Sequence, residues 1–154
     1  MTNNDFAAYE AYERKCKAVA QLRAEILPHN KDNLFNALAA AGIILVTTEF
    51  DGSGDSGQFD EPVGFDDANT IVTVPESSIT VETVNFAMET VSTELRTVHD
   101  FIETLAYELL GNEHGGWENN DGAYGEFRFD ARDRTITLEY NERYIETHYH
   151  EHVF

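Results

Sequence analysis

Two glycine-rich stretches carry the side chains best suited to holding an ion or a partner. The first runs Asp51, Gly52, Ser53, Gly54, Asp55, Ser56, Gly57, Gln58, Phe59; the second runs from His114 through Gly115, Gly116, Trp117, Glu118, Asn119, Asn120, Asp121 and Gly122 to Gly125 and Glu126. Asp51, Ser53 and Asp55 present oxygens at alternate positions, as calcium loops do, and Gly57 permits a bend. The EF-hand pattern then fails, because its glycine and its bidentate glutamate are replaced here by Ser56 and Pro62. A Ca²⁺ or Mg²⁺ ion could still be shared by Asp51, Asp55, Glu118 and Asp121 if the fold brings the two stretches together. Without an ion, these residues form turns whose Asp and Asn side chains bond nearby backbone amides.

Other combinations are weaker. His148, His150 and His152 alternate, so on a strand they would share one face, a spacing able to hold Zn²⁺ or Ni²⁺; near the C-terminus, where chains fray, an exposed polar edge is the favoured reading. His99, beside Asp100 and Glu103, reads as surface or rim. Hydrolysis would use His114 with Glu113 or Glu118 as acid and base, near Ser53 or Ser56 as nucleophile. No nucleophile elbow, phosphate loop, paired His-Glu protease motif or dinucleotide fingerprint accompanies them. Cys16 lies on a helical apolar stripe and reads as a buried thiol. Trp117 is either a lid over the core or an exposed anchor of a binding site. These residues favour a binding protein over an enzyme.

Charge is the most informative property. The net charge is -19, and it is unevenly placed. Residues 1–42 hold five bases and five acids, whereas 43–154 hold five bases and 24 acids; within 43–95 there are eleven carboxylates and no Lys or Arg. Such a surface repels nucleic acid and anionic lipid, whose binding needs cations, and attracts basic proteins through a field that salt screens. Adaptation to a salty cytoplasm is an alternative source of the acidity, compatible with three Lys against seven Arg. The neutral first 42 residues argue against it.

The segments DGSGDSGQ and HGGWENNDGAYGEFRFD, followed by TITLEYNERY, resemble a family of small uncharacterised bacterial proteins known only as a domain of unknown function. The resemblance spans about Ile43 to Phe154. It implies one compact unit and brings no activity, cofactor or catalytic residue with it.

The elements that must position these residues follow from periodicity. At 154 residues the chain suits a single domain, able to bury roughly 70% of its unfolded surface, with a helical part over 1–42 and an acidic α+β core over 43–154. Phe6, Tyr9, Tyr12, Cys16, Val19, Leu22 and Ile26 recur at helical steps from about Asp5 to Leu27, where Pro28 should stop the helix. This helix packs on the core or serves as a homodimer contact. A second helix, capped by Asn30 or Asp32, runs through Leu34, Phe35, Leu38 and Ala41 to Gly42. Strands are expected at Ile43–Phe50, at Phe59–Phe65 as an edge broken by Pro62 and at Thr70–Val74, while Ile79–Val84 is either a further strand or the lead into the helix after it. Ser92 should cap the main helix, with Leu95, Val98, Phe101, Ile102, Leu105 and Leu109 as its stripe and Gly111 as its end. Ala123–Phe129 and Thr135–Tyr140 form a hairpin, and Tyr144–Val153 a last strand. The fold class is therefore α+β: an antiparallel sheet of about five or six strands packed by one main helix, plus an N-terminal helical pair.

A single cysteine excludes an internal disulfide. No apolar run approaches the roughly 18 residues of a membrane span, and Met1–Asp5 lacks the basic and apolar regions of a secretory signal. A cytoplasmic location is expected. The function these features favour is an acidic interaction module that docks on a basic protein, in its sharpest form a nucleic-acid-mimicking inhibitor of the anti-defence kind. Its docking residues would be Asp51, Asp55, Asp60, Glu61, Asp66, Asp67, Trp117, Glu118 and Asp121. It needs no cofactor and binds neither nucleic acid nor membrane directly. The competing function is a small Ca²⁺- or Mg²⁺-binding protein or hydrolase built on the two glycine stretches.

Overall fold

The computed structural model describes residues 2–154. One helix, α1, runs unbroken from Asn3 to Ala40, started by a capping box between Thr2 and Asp5 and containing Pro28. The expected pair of helices is thus a single helix. An internal proline removes one hydrogen bond and costs about 3 kcal/mol, but long-range contacts just beyond it outweigh that cost. Asn30 is buried, and its side-chain amide bonds both backbone groups of Glu82, donating to the carbonyl at 2.9 Å and accepting from the N–H at 2.8 Å. Asn33 donates to the Thr80 carbonyl at 2.8 Å. These side chains cover a strand edge that would otherwise be unpaired. Leu34, Phe35 and Leu38 enter the core on the same stretch. Gly42, at φ 72°, ends the helix in the left-handed conformation that glycine favours.

Eight strands and a second helix follow: β1 (Leu45–Ser53), β2 (Ser56–Phe59), β3 (Val63–Phe65), β4 (Ile71–Val72), β5 (Ser78–Asn85), β6 (Thr90–Thr97), α2 (Val98–Glu113), β7 (Ala123–Asp130) and β8 (Thr135–Glu142). Six strands form an antiparallel sheet in the order β4-β3-β1-β7-β8, with β2 also paired to β1; β5 and β6 form a separate hairpin against α1. The fold is α+β. Inward residues of the sheet, among them Val46, Phe50, Phe127 and Phe129, pack with Phe101, Ile102, Leu105 and Leu110 of α2 in one core.

Several expectations change. The first glycine stretch is a hairpin rather than an ion loop, with Ser53 paired to Ser56 across a two-residue turn in which Gly54 and Asp55 have φ of 59° and 68°. Two successive positive φ values give the turn whose twist matches paired strands. The segment after Ser92 continues β6, leaving Leu95 exposed, and α2 begins only at Val98, capped by the Thr97 hydroxyl. The run Thr90-Val91-Ser92-Thr93, β-branched at every position but Ser92, favours strand over helix. Tyr144–Val153 forms no strand, so His148, His150 and His152 do not share a strand face and are exposed. At the other end, Phe6, Tyr9 and Tyr12 are 54%, 57% and 58% exposed. The first turns of α1 therefore lie outside the core, and the helix meets the β5–β6 tip where Tyr12 approaches Phe86 and Lys15 donates to the Ala87 carbonyl. Cys16 is half-buried rather than enclosed.

Candidate functional site

The two glycine stretches do meet, through their backbones. Gly54 N–H donates to Asn120 O, and Asp55 N–H to Glu118 O, each at 3.0 Å. Between them lies Trp117, only 8% exposed, with its indole edge-on to Phe50 and Phe59. A Cβ on Gly52 would stand 2.6 Å from the indole, one on Gly57 would collide with the same ring, and one on Gly122 would collide with the Gly52 carbonyl. Gly52, Gly57 and Gly122 are thus accounted for by close approach of chain to chain and chain to tryptophan. Trp117 is a core lid, not an exposed anchor.

This junction does not gather the four expected metal ligands. Arg143 takes both oxygens of Asp51, at 3.0 and 3.1 Å, bonds the Gly52 carbonyl at 3.2 Å and stacks 4.6 Å from the centre of Tyr124. Asp55 sits at the hairpin tip. Nor do the hydrolytic candidates assemble: the His114 ring lies flat on Tyr140, centroids 3.6 Å apart, and among the described residues it makes no hydrogen bond to Ser53, Ser56, Glu113 or Glu118.

The remaining acids of the base-free run disperse. Asp66 bonds the backbone of its own turn at Ala68 and Thr70, Asp67 pairs with Arg132, Glu82 lies beside His29 and Glu94 beside Arg96. Glu118 and Asp121 are half-buried in the second stretch.

What does align is the outward face of the sheet. Because successive side chains alternate, the strands that send Phe50 and Phe127 inward send Glu49 and Glu126 outward. Glu49 stands opposite Glu126, and Glu126 opposite Glu139. Asp60 N–H donates to the Glu49 carbonyl at 2.8 Å, which extends the row to a fourth carboxylate. Asp60, Glu49, Glu126 and Glu139 therefore cross the sheet at the strand spacing of about 4.8 Å. They line a shallow groove of about 340 Å³ together with Asp51, Tyr124 and Asn141. Among the described residues one cation touches the row, Arg128, 3.7 Å from Glu126. Sequence reasoning found Asp51 and Asp60 here and missed Glu49, Glu126 and Glu139, whose signal is their outward parity on strands flanked by inward phenylalanines.

A second cluster lies next to Asp60. The break at Pro62 turns Glu61 away from the sheet toward the first turn of α2, where His99 Nε2 is 2.7 Å from Glu61 Oε2 and Nδ1 is 3.5 Å from Asp100 Oδ1. Burial on its own would lower the His99 pKa. Hydrogen bonds with Glu61 and Asp100 and the charges of Glu103 and Glu61 outweigh that, and the net shift is upward.

The family of unknown function DUF6878 is matched over residues 26–154. The chain belongs to this family. The DUF6878 match takes in α1 from residue 26 to its end at Ala40, reaching further toward the N-terminus than the glycine motifs suggest, and both motifs fall within it. Residues 3–25 of α1, including the exposed Phe6, Tyr9 and Tyr12, lie outside it. No curated protein and no solved structure matches the chain. Among the described residues no helix is long and apolar enough to cross a membrane.

Proposed function

We propose that the outward face of the sheet is a docking surface for a basic protein, and that the DUF6878 domain acts as an acidic interaction module, in its sharpest form a mimic of nucleic acid that occupies the phosphate-binding groove of its partner. The observation that carries this is the in-register row Asp60, Glu49, Glu126, Glu139. Like charges placed directly opposite on neighbouring strands oppose folding, so a row of them is costly unless something outside the chain uses it. Lys and Arg side chains that normally neutralise a line of phosphates would find a comparable line of anions here.

The docking residues are Asp60 with Glu49, Glu126 and Glu139, flanked by Asp51; Trp117 supports them from beneath rather than touching a partner. The test is binding to a panel of purified basic nucleases and repressors across a salt series. Binding that weakens steeply between about 50 and 200 mM salt, and that duplex DNA displaces, is the expected result. Absent or salt-insensitive binding removes the proposal.

A second reading concerns the start of α1. Phe6, Tyr9 and Tyr12 form an exposed aromatic stripe within residues 1–42, which carry no net charge, so association of two copies through this stripe meets little repulsion. Sedimentation of the full chain against Tyr9→Ser tests it: dimer lost in the variant supports it, and a monomeric full chain refutes it.

A further inference from the structure

We propose that Glu61, His99 and Glu103 form a binding site for a divalent transition-metal ion of the zinc class, independent of the docking face. One ligand atom from each of the three side chains lies within 4.8 Å of the others, the span over which a single ion can collect them. Two different elements supply them. His99 and Glu103 are four residues apart on α2 and so share a face, and Glu61 comes from the β2–β3 link, bent outward by Pro62.

The positions are held from behind. Thr97 caps α2, the Val98 and His99 N–H groups donate to the Ser77 and Pro75 carbonyls at 3.0 and 3.1 Å, and the Asp60 carbonyl next to Glu61 accepts from the buried Thr48 hydroxyl at 2.8 Å. His99 and Glu103 are half-buried, and the His99 side chain is 19% exposed, so an ion there would be partly withdrawn from water. The exposed Glu61 is free to adjust.

The two ring nitrogens of His99 have different surroundings, and this separates a ligand from a simple ion-pair partner. Nε2 faces Glu61 Oε2, where a metal would replace the shared proton; Nδ1 faces Asp100 Oδ1 at 3.5 Å. A carboxylate behind the second nitrogen is the usual arrangement for a metal-bound histidine, since it fixes the tautomer and orients the ring. One imidazole and two carboxylates suit Zn²⁺ better than Ca²⁺ or Mg²⁺, which take oxygen ligands. Three protein ligands leave positions for water, so the site is of the open kind.

Zn²⁺ is the probe, titrated calorimetrically into the full chain carrying His148→Ala, His150→Ala and His152→Ala, so that the exposed terminal histidines do not contribute. One ion per chain is expected, with affinity falling by at least about tenfold in each of His99→Ala and Glu61→Gln. Glu61 is exposed, so its substitution is expected to leave the fold intact, which circular dichroism of both variants checks. No uptake of Zn²⁺ by the tail-substituted chain, or unchanged affinity in either variant, overturns the proposal.

Discussion

Glu49 on β1 and Glu126 on β7 stand directly opposite one another with both carboxylates on the open face of the sheet. A single opposed pair of this kind is unfavourable by roughly 0.2–1 kcal/mol, and Glu126 faces a second carboxylate, Glu139, on its other side. Replacing Glu126 with Gln is therefore expected to stabilise the fold by about that amount at low salt, less the weak contribution of Arg128, while weakening the docking proposed above. Urea denaturation at low and at high salt checks the first half, since screening should shrink the gain. A destabilised variant would mean that Arg128 dominates.

The relation between Trp117 and the glycines beneath it makes a separate prediction. Trp117 emission should be blue-shifted from that of free indole, because the ring is enclosed by Phe50, Phe59 and the Gly52 and Gly57 backbone. Gly52→Ala places a methyl group where the ring and the Glu118 backbone already stand, with an expected loss of about 1–3 kcal/mol and a red shift in emission. Emission near that of free indole in the unaltered chain would contradict the packing.

Asn30→Ala should be among the more damaging polar substitutions. It removes one side chain but leaves both the N–H and the carbonyl of Glu82 unpaired, with an expected cost of about 1–3 kcal/mol. Hydrogen exchange at Glu82 should accelerate with it. An unchanged exchange rate would show that the amide bridge does not hold α1 to β5.

Tyr140 supplies a pH dependence. Burial, then the charge of Glu142, raises its pKa above the ordinary 10.0. Above that pH the unfolded chain releases the phenol proton while the folded chain retains it, so the stability Tyr140 contributes is present below pH 10 and is lost as pH rises through the raised value. Tyr140→Phe should therefore lose less stability than the unaltered chain between about pH 9 and 11. Denaturation midpoints that fall equally with pH in both would contradict this.

Local periodicity made much of the fold legible. The stripe from Val98 to Leu109 and the β7–β8 hairpin each need only neighbours in sequence, and both stand where that pattern puts them. Where distant partners decide, sequence misleads: Pro28 reads as a stop until Asn30 is seen bridging to Glu82, and Leu95 extends a helical stripe on paper but lies exposed on β6. The candidate sites depend still more on pairing. Glu49 and Glu139 are 90 positions apart and become members of one row only through β7. Glu61 and His99 meet only because α2 begins beside the Pro62 break. The four-residue spacing of His99 and Glu103 was visible in the sequence; its third partner was not.

The most direct measurement compares two triple variants of identical net charge, each moved from -19 to -16. One carries Glu49→Gln, Glu126→Gln and Glu139→Gln; the other carries Glu10→Gln, Glu76→Gln and Glu113→Gln at exposed positions away from the row. Against a basic nucleic-acid-binding protein that captures the unaltered chain, the first should lose at least about tenfold in affinity, a change of about 1.4 kcal/mol, and the second should retain nearly all of it. Equal losses in both would mean that total charge, not the carboxylate row, draws the partner.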